Sequence, residues 1–179
     1  MHALRVDPMA SDQFQQDVLE LRALLGPLQP DQTIQAVPGT GTNVPLWILG
    51  SSLFGAQLAA MLGLPYAFAS HFAPDVLMPA LELYRTNFKP SAQLQNPYAM
   101  AGVNIIAAEK DALAHHLFTS LQQRFAGMVR GARGLLMPPI DDMDAYCSPA
   151  EKIEAHRMLK CSFVGSPATL RGSLRDSSR

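Results

Sequence analysis

Residues 45–70, PLWILGSSLFGAQLAAMLGLPYAFAS, hold the feature that most limits what this chain can become. Two bursts without a charged residue, at 46–50 and 65–70, flank a stretch in which Leu53, Ala56 and Ala60 recur at helical spacing up to a stop at Gly63. A charge-free run of this length reads as a strand buried on both faces, the habit of a parallel sheet covered by helices. Strand, helix and strand in so short a span make a compact βαβ unit.

The alternation continues on both sides. Residues 11–25 carry Phe14, Val18, Leu21 and Leu25 at helical spacing behind Ser11, a candidate N-cap. Residues 75–88 read as a helix with an acidic cap, 102–108 as a third buried strand and 110–131 as a long helix. A proline-rich acidic loop, LLMPPIDDMDAYCSP, leads to a helix over 149–160, and the chain closes on a polar tail at 173–179. Strands alternating with helices predict the α/β class, with a parallel sheet built from strands near 45–50, 65–70 and 102–108. The length of 179 residues, 48% of them hydrophobic, suits one domain with a sizeable core, drawn here as 1–172.

A net charge of −1 gives no electrostatic reason to expect nucleic acid or an anionic membrane surface. No stretch approaches the roughly eighteen uninterrupted apolar residues that a membrane helix needs. The opening MHALRVDPMASD has no apolar core of a secretory signal. Cys147 and Cys161 lack CxxC spacing, so they predict free thiols and a soluble, cytoplasmic protein rather than a disulfide framework.

The chemistry centres on Gly50, Ser51, Ser52 and Leu53, where the first strand gives way to a helix. A helix N-terminus presents unpaired N–H groups and a partial positive charge, and so receives a phosphate readily. Glycine lets a ligand approach the backbone, and serine hydroxyls add neutral donors without bulk. The stretch matches neither the Walker lysine loop nor GxGxxG, and a plain turn with a serine N-cap is the other reading. His71 follows the strand at 65–70, at the end where α/β proteins set their sites, with packing against Phe72 as its alternative. His115 and His116 read as a solvated helix face. His156, Cys147 and Cys161 fit no zinc spacing, and DDMD at 141–144 lacks the ordering of an EF-hand, so no metal is expected. The segment GTGTN at 39–43 reads as a lead into the strand at 45–50.

The stretch PLWILGSSLFGAQLAAMLGLPYAFASHFAPDVLMPALELYR, continued by NPYAMAGVNIIAAEKDALAHHLF and CSFVGSPATLR, closely resembles the bacterial-luciferase-like, flavin-dependent monooxygenases. The resemblance covers nearly the whole chain. It implies a (β/α)8, or TIM, barrel that uses reduced FMN, O2 and a small organic substrate such as an aldehyde. A flavin reductase would supply the reduced cofactor. The strands at 45–50, 65–70 and 102–108 then correspond to the fifth, sixth and seventh of the barrel, and the turn bearing Ser51 and Ser52 to the holder of the FMN phosphate.

A full barrel takes about 250 residues. The resemblance therefore implies a truncated chain: a partial barrel of about strands five to seven, without strands one to four and without the eighth strand and final helix. Two sheet edges and an apolar inner face left open predict self-association or poor solubility, with a homo-oligomer as one outcome. Two functional readings follow. One is a flavin monooxygenase to which this chain brings the phosphate side of the site. The alternative is a non-catalytic half-barrel that binds a phosphorylated ligand or a partner chain.

Overall fold

The computed structural model describes residues 10–132 and 134–177. Residues 1–9, most of the stretch screened for a secretory signal, and the last two residues of the polar tail lie outside them. In chain order the elements are α1 (Ala10–Leu25), β1 (Ile48–Gly50), α2 (Leu53–Leu62), β2 (Tyr66–Phe68), α3 (Leu77–Asn87), β3 (Ala99–Ala101) and β4 (Asn104–Ala107). Then come α4 (Asp111–Val129), a single turn α5 (Met143–Tyr146), α6 (Pro149–Met158), β5 (Ser162–Gly165) and α7 (Pro167–Ser177). The first helix begins one residue ahead of Ser11, its expected cap.

Every strand pairing among the described residues is parallel, in two sheets of order β1-β2-β3 and β4-β5. The strand expected at 102–108 is therefore not one strand of the first sheet. The chain from Ala99 to Ala107 pairs with β2 through β3, passes Gly102 and Val103, and pairs with β5 through β4. Tilted strands in a curving sheet do this: the first half faces one neighbour and the second half the next. β5 and α7 also correct the expectation that the eighth strand and last helix are missing, since β5 lies beside β4 with α7 following it. α7 runs across the expected boundary between residue 172 and the polar tail at 173–179 as a helix.

Burial on both faces holds for β2 alone. Ile48, Tyr66 and Phe68 lie on one face at 2% exposure or less, while Leu49 and Met100 on the other are 71% and 53% exposed. The reason is that helices cover only one side. Ala56, Ala59 and Ala60 of α2 and Ala80 of α3 let those helices close tightly on the sheet around Tyr66 and Tyr84. Deep burial obliges a tyrosine hydroxyl to find partners. Tyr84 donates to the Leu64 carbonyl at 2.9 Å and accepts from the Tyr98 amide at 3.1 Å. A second cluster, Phe125 with Ala155 and Leu159, joins α4 to α6.

Asp75, expected to cap the helix at 75–88, lies in a 3₁₀ turn (Pro74–Val76) ahead of α3, whose N-cap residue is Val76. Its carboxylate goes instead to Arg157 and Lys160 near the end of α6, and these hydrogen bonds hold it below its usual pKa. α6 starts with a reciprocal capping box between Ser148 and Glu151. Glu151 also accepts from two nitrogens of Arg130, Nε at 2.5 Å and Nη2 at 3.0 Å, and that guanidinium lies 4.7 Å over the Tyr146 ring.

The Arg130 hydrogen bonds, with the Ser148 amide second, lower the Glu151 carboxyl from 4.5 to about 2. A carboxylate depressed in the folded state stabilises it above the unfolded value, and that contribution disappears as pH falls through the folded one. Tm measured from pH 4.5 down to about 2 should therefore fall less steeply in Glu151→Gln than in the parent chain.

Candidate functional site

The carboxyl ends of the strands carry every residue singled out from the sequence for a functional role. β1 ends on Gly50, which faces Gly55 of α2: a Cβ at position 50 would sit 3.7 Å from the Gly55 Cα. This close approach draws the start of α2 onto the strand and leaves Ser51 and Ser52 as a tight, exposed turn. Tyr66 beneath it donates its hydroxyl proton to the Ser52 carbonyl at 3.1 Å, and burial pushes that phenol up to about 12. The turn is thus pinned by its backbone, not by its side chains. Ser52 has the extended backbone of an N-cap residue, yet its side chain makes no capping hydrogen bond, and Leu53 opens the helix 44% exposed.

Of the other helices that follow strands, α4 alone has acid in its own first turn. Asp75 precedes α3, and Asp111 is the first residue of α4. Asp111 also accepts from the Ser166 amide at 2.6 Å and the Thr169 hydroxyl at 2.9 Å, which caps α7 and holds the Asp111 carboxyl below its usual pKa. The first turn of α2 carries no acid. Its partial positive charge faces outward uncompensated, beside two hydroxyls free to donate.

The turn after β2 lies against this one, with the Ala69 amide donating to the Gly50 carbonyl at 2.9 Å. Next to it Ser70 is fully buried and donates to the Gly102 carbonyl at 2.5 Å, and the His71 amide donates to the same oxygen at 3.1 Å. The His71 ring packs on Phe72, centroids 4.4 Å apart, so the packing alternative is realised in part. Its Nδ1, however, is buried with no hydrogen-bond partner. The structure therefore brings Gly50, Ser51, Ser52, Leu53 and His71 to one end of the strands.

The remaining polar candidates are occupied locally. His115 Nδ1 lies 2.8 Å from its own helix's Asp111 carbonyl, and His116 lies 3.4 Å from Asp141. Asp142 caps α5, and Asp144 pairs with Lys152. The threonines of residues 39–43 bond to nearby backbone. Cys147 is a buried free thiol, raised by that burial, and Cys161 is free and partly exposed. Among the described residues no group of three or more His, Cys, Asp or Glu side chains could hold a metal ion, and no helix is long and apolar enough to cross a membrane.

Sequence reasoning missed Ser70, Gly102 and the Asp111 clamp. Only Ser70 left a signal, a polar residue at the end of an otherwise apolar burst. The other two depend on contacts between segments far apart in the chain.

Residues 21–176 match the family model described as luciferase-like monooxygenase. The chain belongs to the luciferase-like monooxygenase family. A luciferase-like monooxygenase of Escherichia coli (strain K12) is 52% identical over 164 residues, covering 92% of this chain and 49% of the relative. The uncharacterized protein YvbT of Bacillus subtilis (strain 168) is 46% identical over 175 residues, 97% of this chain and 52% of that protein. The crystal structure of apo-MsnO8 superposes with a TM-score of 0.72 at 27% identity, covering 96% of this chain and 52% of MsnO8. This luciferase-like chain thus spans about half the length of the relatives it matches, and its fold is a partial barrel of the family's type.

A Cβ at Gly102 would stand 2.7 Å from His71 Nδ1 and 3.1 Å from Cε1, so any side chain there must displace the ring. Gly102→Ala should destabilise the chain by about 1–3 kcal/mol, as overpacking does. Denaturant unfolding should find that cost much reduced in a His71→Ala background. An equal cost in both backgrounds would show that the ring is not what the methyl meets.

Proposed function

We propose that this chain forms the phosphate-binding side of a flavin site in a luciferase-like monooxygenase, with Gly50, Ser51, Ser52 and the Leu53 amide receiving the FMN phosphate. The observation that carries this reading is the start of α2: exposed, free of acid, and flanked by serines whose side chains leave the helix uncapped. A dianionic phosphate there would meet backbone N–H groups, hydroxyl donors and the positive end of a helix dipole together. The tight approach of Gly50 to Gly55 keeps side chains out of its way.

Bound as reduced FMN, the cofactor would supply the electrons that activate O2 toward a small, aldehyde-like organic substrate, with a separate flavin reductase renewing it. The groups of this chain bind and orient. His71 is the residue we assign to the reacting end, because its Nδ1 is buried and unpartnered beside the serine turn. A hydrogen bond from bound heterocycle or substrate would satisfy it once the ring turned away from Gly102, which it faces in this structure. The same surface would serve a non-catalytic half-barrel holding a phosphorylated ligand. The unpartnered His71 Nδ1 favours the flavin reading, since a phosphate at Ser51 and Ser52 gives that nitrogen no role.

Hydrogen bonds to a charged group net about 1.5–3 kcal/mol each. Replacing both serines (Ser51→Ala/Ser52→Ala) should therefore weaken FMN by about tenfold or more and leave riboflavin unchanged in a fluorescence titration. His71→Gln should alter both ligands alike, since its contact lies away from the phosphate. Equal affinity of the parent chain for riboflavin and FMN would remove the phosphate assignment.

A further inference from the structure

Tyr66 and Tyr84 are both fully buried, yet their hydroxyls serve opposite ends of the strands. Tyr84 bonds to the Leu64 carbonyl and the Tyr98 amide, just ahead of β2 and β3. Tyr66 reaches the other way, past the end of β1, to the Ser52 carbonyl at 3.1 Å. Its ring has little freedom. Residue 66 lies between register partners Ile48 and Ala99, and the rings of Phe68 and Tyr84 pack against it with centroids 6.1 and 5.5 Å away. A Cβ at Gly55 would stand 3.5 Å from Tyr66 Cε2, so the ring also touches the first turn of α2.

We propose that Tyr66 is a positioning residue for the phosphate, which by holding the Ser52 carbonyl aims the Leu53 N–H at the ligand. The inference rests on the phosphate reading of the serine turn and adds what orients that turn. The peptide between Ser52 and Leu53 is trans, so its C=O and N–H point to opposite sides of one plane. A carbonyl turned toward a buried phenol therefore leaves the amide facing away from the core, into the exposed turn. Leu53 is the first residue of α2, where a backbone amide has no partner within the helix. The Ser52 side chain makes no capping bond that would compete for the amides behind it.

Two further effects act in the same direction. Donation to a carbonyl polarises the whole peptide, which makes its N–H a stronger donor. Burial pushes the phenol up to about 12, so the hydroxyl keeps its proton at neutral pH and donates without interruption. The sheet core thus sets the direction of an amide at the surface through one buried oxygen.

Tyr66→Phe keeps the ring and removes only the donor. In a fluorescence titration FMN should weaken about three- to tenfold, what one neutral hydrogen bond contributes, with riboflavin unchanged. Tyr84→Phe, which loses its bonds at the other end of the strands, should lower stability and leave the ratio of the two affinities at the parent's. Unaltered FMN affinity in Tyr66→Phe, or an equal loss for both ligands, would overturn the role of Tyr66 while a parent preference for FMN upholds the phosphate reading. A parent chain that binds both flavins equally, or neither, overturns that reading and this inference together. Hydrogen exchange of the parent chain needs no folded variant. FMN, and not riboflavin, should slow the Leu53 amide by about tenfold or more. Protection confined to the Ser51 and Ser52 amides would overturn the aim assigned to Tyr66.

Discussion

Gly102 is where one run of chain changes hydrogen-bonding partner. Before it, β3 lies along β2, and after it, β4 lies along β5. Its amide donates to the Phe68 carbonyl at 2.8 Å, while its own carbonyl takes the Ser70 hydroxyl and the His71 amide. Those three bonds bind the end of β2 to the bend, so the stagger between the two sheets and the place of His71 have one cause. A side chain at 102 would contest the space that the ring occupies, and the residue that turns the sheet also admits the histidine.

The strands have two unlike sides because helices cover only one of them. The side toward α2 and α3 is filled by Tyr66, Phe68 and Tyr84 among helix alanines, while the opposite side leaves Leu49 and Met100 in water. An apolar face of this kind weakens a chain on its own, because its burial would be the main favourable term in folding. The polar links that join α6 to the rest, from Asp75 to Arg157 and Lys160 and from Arg130 to Glu151, are solvent-facing and add little each. They fix where the α5–α6 segment lies more than they hold the fold together.

Much of this was legible in the sequence. The βαβ unit at 45–70 was readable because its bursts are uncharged and its helix periodic, and the serine turn followed from it. What escaped is instructive. Leu49 reads as buried because an apolar residue looks the same whether a helix or water stands above it; period-two alternation vanishes when both faces are apolar. β5 is four residues between a serine and a glycine, too short to carry a pattern. The partners of Asp75 lie more than eighty residues away, so its acidity looked like a helix cap. The division of the third strand at Gly102 left no local mark.

The distribution of acid around the strand ends carries the remaining argument. In barrels of this kind the phosphate site often lies after the last two strands, at a helix start. Here that position is taken from within: Asp111 satisfies the Ser166 amide and the Thr169 hydroxyl, so the start of α7 is already capped by a carboxylate. An incoming phosphate there would meet a fixed negative charge. At α2 the situation is reversed, since Tyr66 secures the Ser52 carbonyl and leaves the amides and hydroxyls of the turn unspent. The two helix starts thus differ in charge: a carboxylate is fixed at α7, while the first turn of α2 carries no acid. A ligand anchored at the serine turn would have to extend past His71 toward the uncovered face, where its ring end would meet apolar side chains and whatever closes that face.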